Sequence, residues 1–308
     1  MKLAWLLVVA LGPQAPAPAP VATPAADTPI LCSNCDEWNT PHPPFKIHGR
    51  SYYVGTRGLS AVLIETGEGL ILMDGGLPQS APLITANIRQ LGFRIEDVKL
   101  ILNSHAHFDH AGGIARLQKE TGAEVAASPS GAVALRAGYP VVEDPQFVPG
   151  GKDGAFPAVA RVREVRDQEV LRIGDTAVKA YFTPGHTPGS TTWTWSSCAR
   201  AKEDCVNIVY ADSLNPVSNN DFRFSGDRTH SDRSEAFRRS IERVADLPCD
   251  IVVSVHPDFS RLFEKLKTRE TFPVPDPFID SSGCRTFAAD ASRRLEARLK
   301  MERSETSR

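Results

Sequence analysis

The chain has no surplus of charge of either sign: Lys+Arg 35 against Asp+Glu 37 leaves a formal net charge of −2. Nucleic-acid binding is dominated by neutralising phosphates, so the missing basic field excludes a general nucleic-acid role. Long hydrophobic runs are missing too. The most apolar stretch, Leu3–Leu11, has nine residues, whereas a helix crossing a bilayer needs about 20. No span of the membrane is therefore expected. No stretch repeats itself at a period of about 20–50 residues at the level of sequence identity.

What is present describes an exported globular protein. Its 308 residues, 41% hydrophobic and 23% charged, suffice for one substantial core or two packed halves. Lys2, the short apolar run after it and the Ala/Pro-rich, small-residue stretch Gln14–Ala26 have the pattern of a secretion signal and spacer. Residues 1–26 are expected to be leader and spacer, and 27–308 a single domain with an N-terminal arm, periplasmic or secreted. The cysteines Cys32, Cys35, Cys198, Cys205, Cys249 and Cys284 agree with an oxidising compartment. Six admit many pairings. Short separations make Cys32–Cys35 and Cys198–Cys205 natural partners and leave Cys249 with Cys284. Cys32-Ser33-Asn34-Cys35 reads as a small disulfide, since a zinc motif would need a second ligand pair.

Residues 27–49, polar and Pro-rich, read as an extended arm. Short strands follow at Ser60–Glu65 and Gly69–Asp74 around a Gly67-Glu68-Gly69 turn. A helix is expected over 80–91, where Ile84, Ile88 and Leu91 share a face. Lys99–Asn103 reads as a buried strand, Ala111–Glu120 as a helix and Glu124–Ala127 as the next strand. Residues 138–167 read as a long surface loop. Strands at Glu169–Ile173, Ala177–Thr183, Thr191–Trp195, Val206–Tyr210 and Asp250–Val255 make a second block, with helices at His230–Leu247 and Ala288–Met301. Two β-then-α blocks suggest two halves packed through their sheets, with helices outside. Trp193 and Trp195 read as core and sheet-face residues, and the charges from Arg228 to Arg239 as a solvated helix face.

Five of the eight histidines fall at strand ends or in the loops after them. His105 and His107, two apart just past a strand, can aim both imidazoles at one point. Asp109 and His110 follow at once and can reach a second. His186 lies in the tight loop Thr183-Pro184-Gly185-His186-Thr187-Pro188-Gly189, and His256 ends Val252–His256. Imidazole nitrogen with carboxylate oxygen is a donor set suited to zinc. A lone histidine is ordinarily structural, and His42, His48 and His230 are read so. Asp74, before Gly75-Gly76, reads either as the acceptor behind a ligating imidazole or as a strand-end turn residue.

His105-Ala106-His107-Phe108-Asp109-His110, Gly185-His186-Thr187-Pro188-Gly189, Asp74-Gly75-Gly76 and the late His256 resemble the motif series of the metallo-β-lactamase superfamily over about residues 50–290. That implies an α/β fold, the αββα four-layer sandwich, with two mixed β-sheets, outer helices and two zinc ions per subunit. Tyr210-Ala211-Asp212-Ser213-Leu214-Asn215-Pro216, the loop before Thr191–Trp195 and the Cys249/Cys284 pair resemble subclass B3. By that resemblance His105, His107 and His186 hold one zinc, and Asp109, His110 and His256 the other. Ser213 stands where another subclass has a cysteine ligand. Asn215 replaces a serine of some members, and with Ser213 is expected to hold a substrate carboxylate. Asp109 is expected to act in catalysis by orienting the attacking water.

The activity implied is hydrolysis of a β-lactam amide, a small-molecule substrate, by a monomer, with antibiotic resistance as its outcome. The alternative within the superfamily is a lactonase or glyoxalase-II-like thioesterase, in which an aspartate, here Asp212, bridges both metals. Trp38 and the loop at Gln146-Phe147 either line the groove or, for Trp38, pack the arm on the body.

Overall fold

In a computed structural model the residues described are 23–150, 152–200, 203–219 and 222–306. Of the expected leader and spacer, residues 1–26, residues 1–22 lie outside them. Among the described residues no helix is long and apolar enough to cross a membrane.

The first half is a seven-stranded sheet in chain order: β1 (Phe45–His48), β2 (Ser51–Tyr53), β3 (Val62–Glu65), β4 (Leu70–Met73), β5 (Val98–Leu102), β6 (Glu124–Ala127) and β7 (Val162–Glu164). Strands β1 to β4 pair antiparallel, and β4 to β7 parallel. The second half is a five-stranded sheet, ordered β12-β11-β10-β9-β8, of β8 (Val170–Ile173), β9 (Thr176–Phe182), β10 (Thr191–Arg200), β11 (Glu203–Ala211) and β12 (Ile251–Ser254). Its β11–β12 pair is parallel and its other pairs antiparallel. Both sheets are mixed, as expected.

The helices are α1 (Cys35–Trp38), α2 (Ala81–Gln90), α3 (Phe108–Ala111), α4 (Ile114–Thr121), α5 (Pro129–Ala137), α6 (Ser234–Ala245), α7 (Leu262–Thr271) and α8 (Gly283–Thr306). One apolar cluster, with Ile71, Met73, Leu102, Trp193, Trp195 and Tyr210, fills the space between the sheets. A second joins α2, α4 and α5 to the outer face of the first sheet through Ile84, Ile88, Ile114, Leu117 and Leu135. A third joins α6 and α8 to the second sheet through Phe237, Ile241, Phe287 and Leu295. Strands β4 and β12 are buried along their whole length because both faces are covered. Each large side chain buried this way contributes about 1.5–3 kcal/mol.

Several sequence expectations need correcting. The arm 27–49 is not wholly extended: it folds into α1 and ends as strand β1, whose His42–Phe45–Tyr53 aromatic packing a local pattern does not reveal. Residues 138–167 are interrupted by β7, a short strand recruited by pairing with β6. The helix read at Ala111–Glu120 is two helices, α3 and α4, separated at Gly112-Gly113. A Cβ on Gly113 would lie 2.2 Å from the Gly75 carbonyl, so the chain passes too close for a side chain. Helix α6 starts at Ser234, four residues later than read, since Gly226–Asp232 close on each other first. Its charges are not all solvated: Arg238 pairs with Glu296 of α8, and Arg233 reaches the Glu143 carbonyl.

All three expected disulfides are present, Cys32–Cys35, Cys198–Cys205 and Cys249–Cys284. The last ties the loop before β12 to α8 beneath the second sheet. Trp193 and Trp195 are buried in the core.

Candidate metal centre

The site sits where loops leave the carboxyl ends of β5, β9, β11 and β12, the edge at which parallel α/β sheets gather ligands. At the end of β5, Asn103 and Ser104 are buried and held from below by Asp74. Its carboxylate accepts from Asn103 Nδ2 (3.0 Å), Ser104 N–H (2.8 Å), Ser104 Oγ (2.6 Å) and the Tyr210 hydroxyl (3.0 Å). Asn103 Nδ2 also donates to the His105 carbonyl at 2.8 Å, and the Trp193 indole to the Asn103 carbonyl at 3.1 Å. The turn carrying His105 is thereby fixed to both sheets. Asp74 thus braces the backbone of the histidine loop; its Oδ2 stands 3.9 Å from His110 Nδ1, beyond hydrogen-bond reach. Burial pushes its carboxyl up to about 6, against the pull of His110, Ser104 and Tyr210.

His107 is the N-terminal boundary residue of α3, and that single turn brings Asp109 and His110 back toward His105. His186 arrives on the Pro184–Gly189 loop, which is pressed against two neighbours. A Cβ on Gly185 would meet the Phe237 ring at 2.3 Å, and one on Gly189 the Gly131 backbone nitrogen at 2.6 Å, so both glycines are required by close approach. His256 follows β12.

Donor atoms of His105, His107 and His186 lie within 4.8 Å of one another, as do those of His105, Asp109 and His110. His256 approaches the second group from the other side, its Nε2 being 3.2 Å from His110 Nε2 and 3.4 Å from Asp109 Oδ2. The six residues read from the sequence as ligands are thus brought together. His42, His48 and His230 lie elsewhere: His42 and His230 meet the nearby Pro43 carbonyl and Asp227 carboxylate, and His48 meets the Asp204 carbonyl.

Each outer imidazole nitrogen has its own environment. His105 Nδ1 donates to Asp212 Oδ1 at 2.6 Å, and its buried Nε2 has no partner. His107 Nε2 donates to Asp144, both of whose oxygens are at 3.1 Å. His186 Nδ1 donates to the Asn215 carbonyl at 2.8 Å, and His256 Nδ1 to the Gly58 carbonyl at 3.1 Å. Such partners fix the tautomer and leave the opposite nitrogen as the donor. Burial, then the neighbouring imidazoles, hold His105 well below the usual range and His186 down at about 3, so both are neutral. Burial opposes ionisation of Asp109, but His110 and His256 overcome it and hold its carboxyl well below its ordinary value. Two buried neutral imidazoles, His105 and His186, beside the buried Asp109 carboxylate, with His105 Nε2 and His110 Nδ1 unpartnered among the described residues, are what a metal cluster requires of its protein. The residues fit a metal.

Asp144, and Asp212 as the partner of His105, were not found from the sequence. Asp144 lies in a loop without periodicity, 37 residues from the histidine it meets, and no local signal joins them.

A cavity of about 520 Å³ opens over the centre. Ser213, Asn215 and Gln146 offer it polar groups; Trp38, Phe108 and Phe259 form apolar walls. Trp38 both packs the arm and lines the cavity, its ring centroid 5.2 Å from that of His256.

The family model of the metallo-beta-lactamase superfamily matches residues 54–197. Among solved structures the fold is similar to the Rm3 metallo-beta-lactamase, at 45% identity and TM-score 0.84, over 89% of this chain and 100% of that one. It is also similar to MEM-A1, a subclass B3 metallo-beta-lactamase from a soil metagenome library, at 47% identity and TM-score 0.82, over 87% and 99%. A curated relative, the hydroxyacylglutathione hydrolase of Maricaulis maris, is 36% identical over 109 residues, 35% of this chain and 32% of that protein. The chain spans about half or less of the length of the curated relatives it matches. The chain belongs to the metallo-β-lactamase superfamily, and the solved structures it is similar to include subclass B3 enzymes.

Proposed function

We propose that the protein hydrolyses the amide bond of β-lactams at a two-zinc centre, with His105, His107 and His186 holding one ion and Asp109, His110 and His256 the other. Zinc bound there would supply Lewis acidity toward the lactam carbonyl and a water acidic enough to attack near neutral pH. The protein's own residues do the rest. Asp109, held ionised among His110 and His256, can accept a hydrogen bond from the attacking water and aim it. Ser213 and Asn215 offer side-chain donors at the cavity wall for the carboxylate that β-lactams carry, which holds the ring in a reactive pose. Trp38, Phe108 and Phe259 exclude water from the apolar body of the substrate.

The observation that carries this reading over a lactonase or thioesterase is the position of Asp212. An aspartate bridging two metals must face both donor groups. Asp212 belongs to neither and is absent from the cavity wall. Its Oδ1 is engaged at 2.6 Å by the outer nitrogen of His105, on the far side of that ring from the unpartnered Nε2. The adjacent Ser213 and Asn215 face the cavity instead.

The proposal includes export to the periplasm or medium and action as a monomer. Three disulfides that use all six cysteines support an oxidising compartment.

Purified protein should turn over a chromogenic cephalosporin, lose that activity to a chelator and regain it with zinc. Cleavage of a lactone or thioester with no chelator-sensitive turnover of the cephalosporin would overturn the assignment.

A further inference from the structure

Two of the three histidines in the first group are gripped from behind by the two loops that wall the cavity. His107 donates to Asp144, on the loop after α5, and His186 to the Asn215 carbonyl, on the segment after β11. These loops are also joined to each other, away from the histidines. The Asn219 N–H donates to the Pro145 carbonyl at 2.9 Å, and its side-chain amide to the Gln146 carbonyl at 3.0 Å. Asp144 draws its own loop tight, accepting from the Gln146 N–H at 2.8 Å and, through its carbonyl, from the Phe147 N–H at 3.0 Å. The result is a nearly closed ring running His107, Asp144, Gln146, Asn219, Asn215, His186. It is open only between the two imidazoles, whose centroids stand 4.9 Å apart.

We infer that a metal ion shared by His107 and His186 closes this ring, so that loading the first site orders both cavity loops together, with Asp144 and Asn219 as positioning residues. Asp144 is 5% exposed. It has the geometry of a tautomer-fixing partner, because Nε2–H toward its carboxylate leaves Nδ1 as the donor atom. The Gln146 side-chain nitrogen stands 3.4 Å from that same Nδ1. A metal there competes with this contact and leaves the Gln146 amide available to the cavity. The ordering has definite limits: Tyr139 holds the Val148 carbonyl and Arg233 the Glu143 carbonyl, whatever occupies the site. The metal-sensitive part is therefore confined to residues 144–147 and 215–219.

The inference rests on metal binding at the three-histidine group and is independent of the substrate. Hydrogen exchange followed by mass spectrometry on the full chain, with metal content measured on the same samples, tests it. Chelation should speed exchange at Gln146, Phe147 and Asn219 by about tenfold, and zinc should reverse this, while α2 is unchanged. Asp144→Ala should lose metal affinity by about 10- to 100-fold, the usual cost of removing such a partner. At saturating zinc it should also lose the metal-dependent protection of 144–147. Asp144→Asn, which keeps an acceptor for His107, should recover part of both. Equal exchange in wild type with and without bound metal would overturn the inference while leaving the metal site standing. So would Asp144→Ala that keeps its metal-dependent protection. A wild-type protein that binds no metal would sink both this inference and the proposed function.

Discussion

The two donor groups come from neighbouring residues yet are backed very differently. In the first, His105 and His107 lean on carboxylates, Asp212 and Asp144, and His186 on a peptide carbonyl in a loop bonded to its neighbour. The His105 and His107 side chains are 0% and 6% exposed. In the second, His256 has only the Gly58 carbonyl behind it and is 19% exposed, and His110 Nδ1 has no hydrogen-bond partner. A carboxylate behind an imidazole raises its basicity and fixes its ring. On the proposed two-metal reading, the first group would keep its metal and the second would hold one in reach of solvent and substrate.

Breaking one ligand in each group tests that contrast most severely. His186→Ala should lower kcat/KM by about 10³-fold or more, the scale of several kcal/mol of lost Lewis-acid stabilisation. It should also reduce metal content at the tighter class of site. His256→Ala should instead leave the tighter equivalent in place. Titration with a chelating dye reads both, and equal metal losses in the two variants would abolish the distinction.

Asp212→Ala comes next in size. Acting behind His105, it should weaken the tighter metal by about 10- to 100-fold and spare the weaker one. Loss of both metals at once would mean that Asp212 touches both, and would return the lactonase-like reading.

How much of this contrast could be read from the sequence follows from the range of the interactions. His105, His107, Asp109 and His110 were legible because six consecutive residues carry four donors. His186 and His256 were legible because each ends a strand pattern. The layered fold was legible because periodicity in β4, β5 and β6, and in α2 and α4, is set by one-sided or two-sided burial. The partners behind the imidazoles were not. Asp144 and Gly58 reach their histidines across 37 and 198 residues, and a single acidic residue or glycine in a loop has no pattern of its own. The short elements α1, β7 and α7 escaped for a related reason, since tertiary packing and strand pairing stabilise them more than their own propensity.

The N-terminal arm offers the smallest and most discriminating test, because it touches only the open side of the site. Helix α1 is a single turn, too short to persist alone. The Cys32–Cys35 disulfide closes its entry, and Cys35 packs with Leu59 and Leu77. The Trp38 carbonyl accepts from Thr56 Oγ1 at 2.6 Å and from the Gly58 N–H at 3.1 Å, while Gln79 and Ile30 exchange two hydrogen bonds. The disulfide is therefore one of several supports. A loop so short contributes about 2 kcal/mol at most through the unfolded chain, and the hydrogen bonds keep Trp38 near His256 without it. Replacing both Cys32 and Cys35 by serine should raise KM about threefold, roughly 0.6 kcal/mol of binding, with kcat and metal content unchanged. Trp38→Ala, which removes the wall itself, should raise KM further and loosen only the second metal, because the Trp38 ring packs against His256 and against Gly58, whose carbonyl accepts from His256 Nδ1. A fall in kcat with the tighter metal lost would show that the arm reaches the first group, and the division between a braced and an open site would no longer hold.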